Sequence, residues 1–249
     1  MTISDLIEDF AVKYYNSRTI KRIFAPIYRW WIKHNSKSNI ITKLKDNYDK
    51  NGISVLKKFD EIMTSINTPY VLAFGTMLGA IREKGFIKHD LDIDVIIWYE
   101  DYTPELIETL KKYGFRLTHQ FSIENDTLGK EDTIELNGVQ IDIFYYYPPL
   151  TKGRNPYCCD FPIFADTRSR RQSIRKHGGL QPRRLEIPLS RDIKRVPFES
   201  LYLPIPLNAV EFLTKRYGDD FMTPNPNWEN NNTDYIIVWN GKTAKYAEF

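Results

Sequence analysis

The chain has 249 residues, of which 42% are hydrophobic and 27% are charged, an ordinary composition for a globular protein with one sizeable core. Its net charge is only +3, and no run of about 18 apolar residues is present that could span a membrane. Cys158 and Cys159 are adjacent, so they can neither form a zinc site by themselves nor link distant segments. Because the first ten residues also lack the features of a secretory signal, we expect a protein of the reducing cytoplasm.

Residues 1–50 are expected to form a basic, aromatic-rich helical extension. Apolar spacing predicts a helix over 4–16, and residues 18–45 carry eight Lys and Arg side chains and no acid, interleaved with Trp, Tyr and Phe. This composition suits a helix lying at an anionic membrane surface, which would make the protein peripheral to the inner face of the membrane. It suits equally a helical pair that packs on the rest of the chain. No nucleic-acid-binding motif is present, so no nucleic-acid partner is expected.

Residues 70–99 organise the rest of the chain. A buried strand is predicted over 70–74, and the pair Gly75-Thr76 then ends it and opens a short helix. Three aspartates follow that alternate with apolar residues and lead into an apolar strand, namely Asp90, Asp92 and Asp94. Because strand side chains alternate, the three carboxylates share one face if the strand extends back to residue 90.

Carboxylates at alternate strand positions repel one another and add nothing to the fold. Their grouping favours a hard divalent cation, Mg²⁺ or Mn²⁺, held between them together with substrate phosphate oxygens. An exposed acidic strand end is the plain structural alternative. An EF-hand calcium loop is excluded, because Val95 and Asp101 occupy the positions where such a loop needs Gly and Glu.

The other central elements are predicted from spacing and turn residues: a core-facing helix over 53–66, a helix between Thr103 as N-cap and Gly114, and a strand over 115–121. Asn137-Gly138 between two apolar runs predicts a hairpin with a type I′ turn. Asp142 lies within the apolar second arm, where an unpaired buried carboxylate would be costly. The alternative is an exposed acid on the polar face of the hairpin.

Residues 168–195 form a basic segment with ten Lys and Arg residues and two acids. Its glycines and Pro182 predict a partly irregular loop, which suits contact with phosphates or, alternatively, simple exposure to solvent. A final helix is predicted to start at a capping box of Asn208 and Glu211 and to end at Gly218. The histidines are scattered, without a carboxylate or Cys partner nearby in sequence, and are interpreted as ordinary side chains rather than metal ligands.

The stretch 75–94, GTMLGAIREKGFIKHDLDID, resembles the signature of the LicD/fukutin family, which is roughly G-T-L-L-G-x-x-R-x-x-G-F-I-P-W-D-D-D-I-D. The matching positions are Gly75, Thr76, Leu78, Gly79, Arg82, Gly85, Phe86, Ile87, Asp90, Asp92, Ile93 and Asp94. The chain departs from the pattern at Lys88-His89, where the family has Pro-Trp, and at Leu91, where it has the middle Asp. A weaker resemblance extends over about 53–230.

This resemblance implies an α/β (α+β) nucleotidyltransferase-like domain, with a mixed sheet flanked by helices, over residues 51–249. In that fold a third carboxylate on a neighbouring strand completes the metal site, and Asp142 fits this position beside Asp92 and Asp94. The implied reaction moves a phosphorylated group, such as phosphocholine or an alditol phosphate, from a CDP- or CMP-activated donor to a hydroxyl of a cell-surface glycan, with release of CMP. The glycan acceptor can be lipid-linked.

The expected substrate-binding residues are Gly75, Thr76, Arg82, Lys88 and His89. Gly75 and Thr76 would meet the donor phosphates at the start of a helix, while Arg82 and the basic segment would stabilise developing charge. Asp90 and Asp142 are both candidates for the general base. Two other functions stay open: a true nucleotidyltransferase that releases pyrophosphate, and a non-catalytic nucleotide- or glycan-binding protein.

Overall fold

The computed structural model describes residues 37–225 and 234–249. Its helices are α1 (Lys37–Ser65), α2 (Phe74–Arg82), α3 (Leu106–Lys112), α4 (Arg170–His177) and α5 (Ala209–Tyr217). Its strands are β1 (Val71–Leu72), β2 (Asp92–Trp98), β3 (Arg116–Ile123), β4 (Gly129–Leu136), β5 (Val139–Tyr146), β6 (Cys158–Asp160), β7 (Arg183–Leu185), β8 (Ile193–Phe198), β9 (Leu201–Pro206), β10 (Ile236–Val238) and β11 (Lys245–Glu248). The predicted α/β fold, with a mixed sheet flanked by helices, is confirmed.

The main sheet has six strands in the order β1-β2-β5-β4-β3-β11. Within it β2 and β5 run parallel, and every other neighbouring pair is antiparallel. Strands β10, β7 and β6 form a small second sheet, and β8 and β9 form a hairpin. Because β2 and β5 are parallel neighbours, the first residues of both strands lie at the same end of the sheet.

The core of the domain explains why the acids of β2 stand at its start. From Val95 to Trp98 every residue of β2 is buried, whereas Asp92 and Asp94 are only half-buried. Helix α1 packs on β2 and β5, and the predicted apolar stripe of this helix is confirmed by the complete burial of Leu56 and Phe59. Both faces of the apolar part of β2 are thus buried. The two acidic residues of the strand lie just before this buried part.

Helix α1 continues without a break across the expected domain boundary at residues 50 and 51. Tyr48, which precedes that boundary, belongs to the buried core. The helix predicted over 4–16, and most of the basic stretch 18–45, lie outside the described residues. Among the residues that the structure describes, no helix is both long enough and apolar enough to cross a membrane.

Two turn predictions have different outcomes. The hairpin between β4 and β5 is confirmed, since Asn137 and Gly138 have φ angles of 53° and 79°, as a type I′ turn requires. The strand predicted over 70–74 is wrong in length, because β1 contains only Val71–Leu72 and α2 already begins at Phe74.

Two predicted helix caps are also wrong. Helix α3 begins at Leu106 rather than after Thr103, because the intervening residues form a turn in which the Thr103 carbonyl accepts from the Leu106 N–H at 3.0 Å. Asn208 precedes α5 as predicted but makes no capping bond. Its Oδ1 accepts from the Ser190 N–H at 2.8 Å, and its Nδ2 donates to Glu211. Because the Asn208 side chain binds the Ser190 N–H, it does not cap α5.

Candidate active site

The start of α2 and the residue before it hold the backbone of Asp94 through two hydrogen bonds. The Ala73 N–H donates to the backbone oxygen of Asp94 at 2.9 Å, and the Asp94 N–H donates to Oγ1 of Thr76 at 2.9 Å. The Gly75 N–H faces the Asp94 carboxylate and lowers its pKa, against the larger effect of burial. Thr76 is only 1% exposed, so its bond to the Asp94 N–H is shielded from solvent. Ala73 and Thr76 therefore fix the backbone of Asp94, and the Gly75 N–H favours the charged form of its carboxylate.

Gly75 also allows a second acid to approach the backbone closely. A Cβ atom at this position would lie 3.0 Å from Oδ2 of Asp90. Asp90 is not part of β2, because it lies in a turn in which its N–H donates to the Ile87 carbonyl at 3.0 Å. Of the three alternating aspartates, only Asp92 and Asp94 are therefore strand residues, and Asp90 stands at the entrance to the strand.

Asp142 lies on β5 directly beside Asp94, because the parallel register pairs these two residues. Asp92, two residues before Asp94, points to the same face of the sheet. On the other side of β5, Thr133 of β4 is paired with Asp142, and its Oγ1 donates to Oδ1 of Asp142 at 2.5 Å. Carboxylates from two neighbouring strands thus converge on one face, as the spacing of the acids predicts for β2.

The charges of these acids act on one another in a partly buried place. Burial raises the pKa of Asp94 well above its usual value, and the charges of Asp92 and Asp142 raise it further. Burial, and then the charge of Asp92, raises the pKa of Asp142 to about 7. The same two causes raise the pKa of Asp90 to about 6. A set of oxygen-only ligands with excess negative charge fits a hard divalent cation such as Mg²⁺ or Mn²⁺.

A cleft with a volume of ≈ 730 Å³ opens beside Asp90. Its lining contains three of the residues predicted to bind substrate, Gly75, Arg82 and His89, together with Tyr217 from the end of α5. The Nη1 group of Arg82 donates to a backbone oxygen in the same wall at 3.3 Å, which holds the guanidinium at the rim. The cleft is therefore bordered by both a cation and the entrance acid of β2.

A second cleft, of ≈ 470 Å³, has Ile87 and His89 in common with the first. Lys45 of α1 and Lys88 also line it. The turn that precedes β2 thus borders both clefts, and the exposed side chains at Lys88 and His89 face solvent there. The positions where this chain departs from the Pro-Trp of the family pattern are therefore surface positions beside Asp90.

Two side chains beside Asp142 were not predicted as part of the site. Ligand atoms of His119, Glu131 and Asp142 all lie within 4.8 Å of one another, so these three could hold a metal ion. His119 has no acidic neighbour in sequence, but the fold brings it beside Glu131 and Asp142. A β-bulge brings it here: the pairing with β4 shifts between Leu117 and His119, so that His119 stands opposite Thr133. Such a register shift has no signal in the sequence.

The environment of His119 keeps its ring neutral. Burial, and then the charge of Arg170, lowers the pKa of His119 to about 4. Its Nε2 lies 2.9 Å from Oγ1 of Thr133, and its Nδ1 lies 3.2 Å from Oγ1 of Thr118. The hydroxyl of Thr133 thus connects the imidazole with Asp142.

Tyr48 of α1 is a further neighbour of the acids that was not predicted. It is 1% exposed, and its hydroxyl has no hydrogen-bond partner in the part of the chain that the structure describes. Burial, and then the charges of Asp90 and Asp92, raises the pKa of this hydroxyl above its usual value. The hydroxyl therefore stays protonated and is available as a hydrogen-bond donor close to the acids.

The basic segment of residues 168–195 contains α4, β7 and the start of β8, and it is irregular around its glycines and Pro182 as predicted. Several of its cations form ion pairs: Lys176 with Asp166, Arg183 with Asp160, Arg184 with Glu186, Arg191 with Glu100 and Asp101, and Arg195 with Asp60. Among the described residues, Arg168, Arg171 and Arg175 make no such pair and are exposed. Much of the charge that suggested phosphate binding therefore supports the fold.

Comparison with known proteins agrees with this architecture. The family model described as LicD/FKTN/FKRP, nucleotidyltransferase domain, matches residues 67–208, which is more than half of the chain. The mouse ribitol-5-phosphate transferase FKTN is 32% identical over 106 residues, covering 40% of this chain and 22% of that protein. An uncharacterized protein of Caenorhabditis elegans is 30% identical over 117 residues, covering 46% of this chain and 31% of that protein.

A shorter match of 67 residues, 34% identical, is found with an uncharacterized protein of Rickettsia typhi, covering 26% of this chain and 22% of that protein. The chain thus spans between about a fifth and a third of the length of these relatives. The family match begins just before β1, ends at the start of α5, and includes every aspartate of the candidate site. The chain therefore belongs to the LicD/FKTN/FKRP family of nucleotidyltransferase domains.

Proposed function

We propose that this protein transfers a phosphorylated group from a CDP- or CMP-activated donor to a hydroxyl of a cell-surface glycan and releases CMP. The observation that carries the proposal is the convergence of Asp92, Asp94 and Asp142 on one face of the sheet, beside a cleft. Phosphocholine and alditol phosphates are the candidate groups. The name of the mouse relative, a ribitol-5-phosphate transferase, favours ribitol phosphate as the first to test.

In this proposal Asp92, Asp94 and Asp142 hold a divalent cation, Mg²⁺ or Mn²⁺. The fit rests on their oxygen-only chemistry and on the mutual repulsion that raises the pKa of Asp94 and Asp142. When bound, the ion would neutralise phosphate oxygens and orient the donor. The protein's own part is to hold the three carboxylates in fixed positions on β2 and β5 before substrate arrives.

Gly75 and Thr76 act as positioning residues in this scheme. The Thr76 hydroxyl accepts a hydrogen bond from the Asp94 N–H, and the Gly75 N–H faces the Asp94 carboxylate. Arg82 lines the ≈ 730 Å³ cleft, where its guanidinium, which also pairs with Glu83 at 2.8 Å, would meet negative charge that develops on the donor. Lys88 and His89 would contact substrate from the turn before β2, where they border the second cleft.

We assign the general base to Asp90 rather than to Asp142. Asp90 lies off the strand and lines the cleft, whereas Asp142 accepts a hydrogen bond from Thr133 and faces Asp94. A base must reach the acceptor hydroxyl within hydrogen-bond distance, which an acid at the cleft entrance can do. Asp90 would take the proton of the acceptor hydroxyl as its oxygen attacks phosphorus, and CMP would leave.

The acceptor is proposed to be a glycan that can be carried on a lipid. The basic, aromatic-rich stretch 18–45, most of which lies outside the described residues, would then bind the anionic inner face of a membrane. Each Lys or Arg near such a surface contributes roughly 1 kcal/mol, and salt screens this attraction. Co-sedimentation with vesicles should therefore need anionic lipid and weaken sharply with salt. Binding to neutral vesicles alone would contradict this assignment.

The direct test is a donor panel. The purified protein is incubated with Mg²⁺ and CDP-ribitol, CDP-glycerol, CDP-choline or a CMP-phosphonate, and CMP is measured with and without a glycan acceptor. Release of CMP from one donor, lost in Asp92→Asn, is the expected result. Pyrophosphate release from CTP and a phosphorylated small molecule would instead support a true nucleotidyltransferase. Binding without any metal-dependent turnover would support a non-catalytic role.

A further inference from the structure

Three neighbouring strands bring an imidazole and two carboxylates together on the face that carries the candidate active site. The register pairs Thr133 of β4 with Asp142 on one side and with His119 on the other. Glu131, two residues before Thr133, therefore points to the same face. The ligand atoms of His119, Glu131 and Asp142 lie within 4.8 Å of one another. This cluster lies on β3, β4 and β5 rather than on β2. Asp142 is the one residue that it shares with the proposed metal site of Asp92, Asp94 and Asp142.

Glu131 is the member of the cluster that most needs a partner. It is only 9% exposed, and within residues 37–225 and 234–249 its carboxylate makes neither a hydrogen bond nor an ion pair. The charges that act on it most strongly are those of other acids, Asp142, Asp160 and Asp94. A carboxylate with so little exposure and without a donor or a cation is unfavourable, because it loses most of its hydration and gains no partner in return. This side chain therefore points to a cation that binds beside it.

The hydrogen bonds around His119 lead to the same conclusion. Oγ1 of Thr118 donates to the Thr133 carbonyl at 3.0 Å, so it can only accept from His119 Nδ1, which then carries the ring proton. Nε2 is left as an acceptor. The single hydroxyl hydrogen of Thr133 is then shared between two acceptors, Nε2 at 2.9 Å and Asp142 Oδ1 at 2.5 Å. The network therefore lacks one hydrogen-bond donor or cation between the imidazole and the carboxylates.

We propose that His119, Glu131 and Asp142 bind a second divalent cation, from the first-row transition metals rather than Mg²⁺. An imidazole nitrogen among the ligands favours ions such as Mn²⁺ or Zn²⁺, whereas Mg²⁺ takes oxygen ligands. An ion at the centre of a triangle with 4.8 Å edges lies about 2.8 Å from each corner. Reaching bond lengths of about 2.0–2.2 Å needs each side chain to move by less than about 1 Å.

This second site rests on the proposed function only in that Asp142 is common to both metal sites. A carboxylate shared by two ions would place them on the same face of the sheet, an arrangement used by two-metal phosphoryl-transfer enzymes. The Thr133 hydroxyl would then orient Asp142 toward the first site, and Thr118 would fix the tautomer of His119.

The experiment is a Mn²⁺ titration of chelator-treated full-length protein, followed by electron spin-echo detection of ¹⁴N coupling to the bound ion. Two equivalents should bind to the wild type, and part of the bound Mn²⁺ should show imidazole nitrogen coupling. Glu131→Gln and His119→Asn should each lose one equivalent and this coupling, while Asp92→Asn should lose the other equivalent and keep it. His177→Asn is the matched control, because His177 also lies beside a carboxylate, Asp166, but at the surface.

A single equivalent without nitrogen coupling in the wild type overturns the proposal, as does coupling that survives in His119→Asn. Should His119→Asn fail to fold, the isosteric Glu131→Gln variant decides in the same way, with its thermal midpoint as the check on folding. The proposed function is tested separately by CMP release. Turnover with only one bound ion would reject the second site alone, and two bound ions without turnover on any donor would reject the transferase assignment alone.

Discussion

Asp94 is fixed at its backbone by hydrogen bonds with Ala73 and Thr76, and the Gly75 N–H faces its carboxylate. A carboxylate fixed in this way cannot turn away from its neighbours. Asp92 and Asp142 then repel it, and the pKa of Asp94 rises. The site therefore keeps excess negative charge in place, a cost that a bound cation can offset.

Replacing any one of Asp92, Asp94 or Asp142 with Asn is predicted to lower turnover by a factor on the order of a thousand, because the acids act as one unit. For the same reason the double variant Asp92→Asn/Asp142→Asn should be little worse than either single change. Steady-state CMP release and thermal unfolding measured on the same samples check this. Asp166→Asn, at an exposed position, is the control. Losses that multiply in the double variant would show that the acids act independently.

Thr76→Val is predicted to lower turnover by roughly tenfold or more, because the Asp94 N–H loses its acceptor and the carboxylate loses its fixed position. Leaving a buried N–H unpaired should also lower the free energy of unfolding by about 1–3 kcal/mol. Thr76→Ser keeps the oxygen and should retain most of the activity. Kinetics and urea unfolding of both variants test this. Equal activity in Val and Ser would mean that the hydroxyl does not position Asp94.

At this scale the sequence predicts the acids of β2 well and their neighbours poorly. Asp92 and Asp94 can be found because strand alternation and the family pattern both point to them. His119 and Glu131 could not be found, since their place depends on a bulge after Leu117 and on the register of β3 with β4. Alternation would include Asp90 only if the strand extended back to residue 90, and a turn from Ile87 keeps it off the strand.

Strand β4 is the element that divides two polar networks. Its residues Glu131 and Thr133 face the candidate site, while Lys130 and Asp132 face the other side of the sheet. Lys130 is 1% exposed and pairs with Asp132 at 3.2 Å, and the Tyr145 hydroxyl donates to the same carboxylate at 2.7 Å. Asp132 is fully buried, so its charge depends on these partners.

Lys130→Met is predicted to lower the free energy of unfolding by about 3–5 kcal/mol, because it leaves Asp132 as a buried charge without its cation. Lys57→Met is the matched control, since Lys57 forms an exposed pair with Glu61 that is worth roughly 0–1 kcal/mol. In Lys130→Met/Asp132→Asn part of the loss should be recovered, so the two changes should not add. Urea unfolding measures all of these. Equal losses for the Lys130 and Lys57 variants would contradict the prediction.

Elements with strong local signals were predicted, and elements set by tertiary contacts were not. The apolar stripe of α1 and the Asn137-Gly138 hairpin have signals within a few residues of sequence. The capping box at Asn208 failed because Ser190, distant in sequence, uses its side chain. The ordered parts of the basic segment 168–195 were not predicted, because the ion-pair partners that hold them come from other elements, such as Asp60 of α1 and Asp160 of β6.

For the whole molecule, a chelator is predicted to abolish turnover while the thermal midpoint falls by only a few degrees. The strands that carry Asp92, Asp94 and Asp142 are fixed by an apolar core that includes Val95 and Ile143, which are fully buried. Metal ions should therefore act in the reaction rather than hold the fold together. Calorimetry with and without chelator, next to a turnover assay, tests this. Cooperative unfolding on chelation would contradict it.

The proposed function requires that the face carrying Asp94 and Asp142 performs metal-dependent phosphotransfer from a cytidine-activated donor. The measurement that tests it most directly is single-turnover release of CMP from CDP-ribitol, with Mg²⁺ and a glycan acceptor, by wild type and by Asp94→Asn. We expect CMP together with a phosphorylated glycan from the wild type, neither after chelation, and at most about a thousandth of the rate from the variant. Equal rates for the wild type and a folded Asp94→Asn protein, or rates that chelation does not change, would contradict the account.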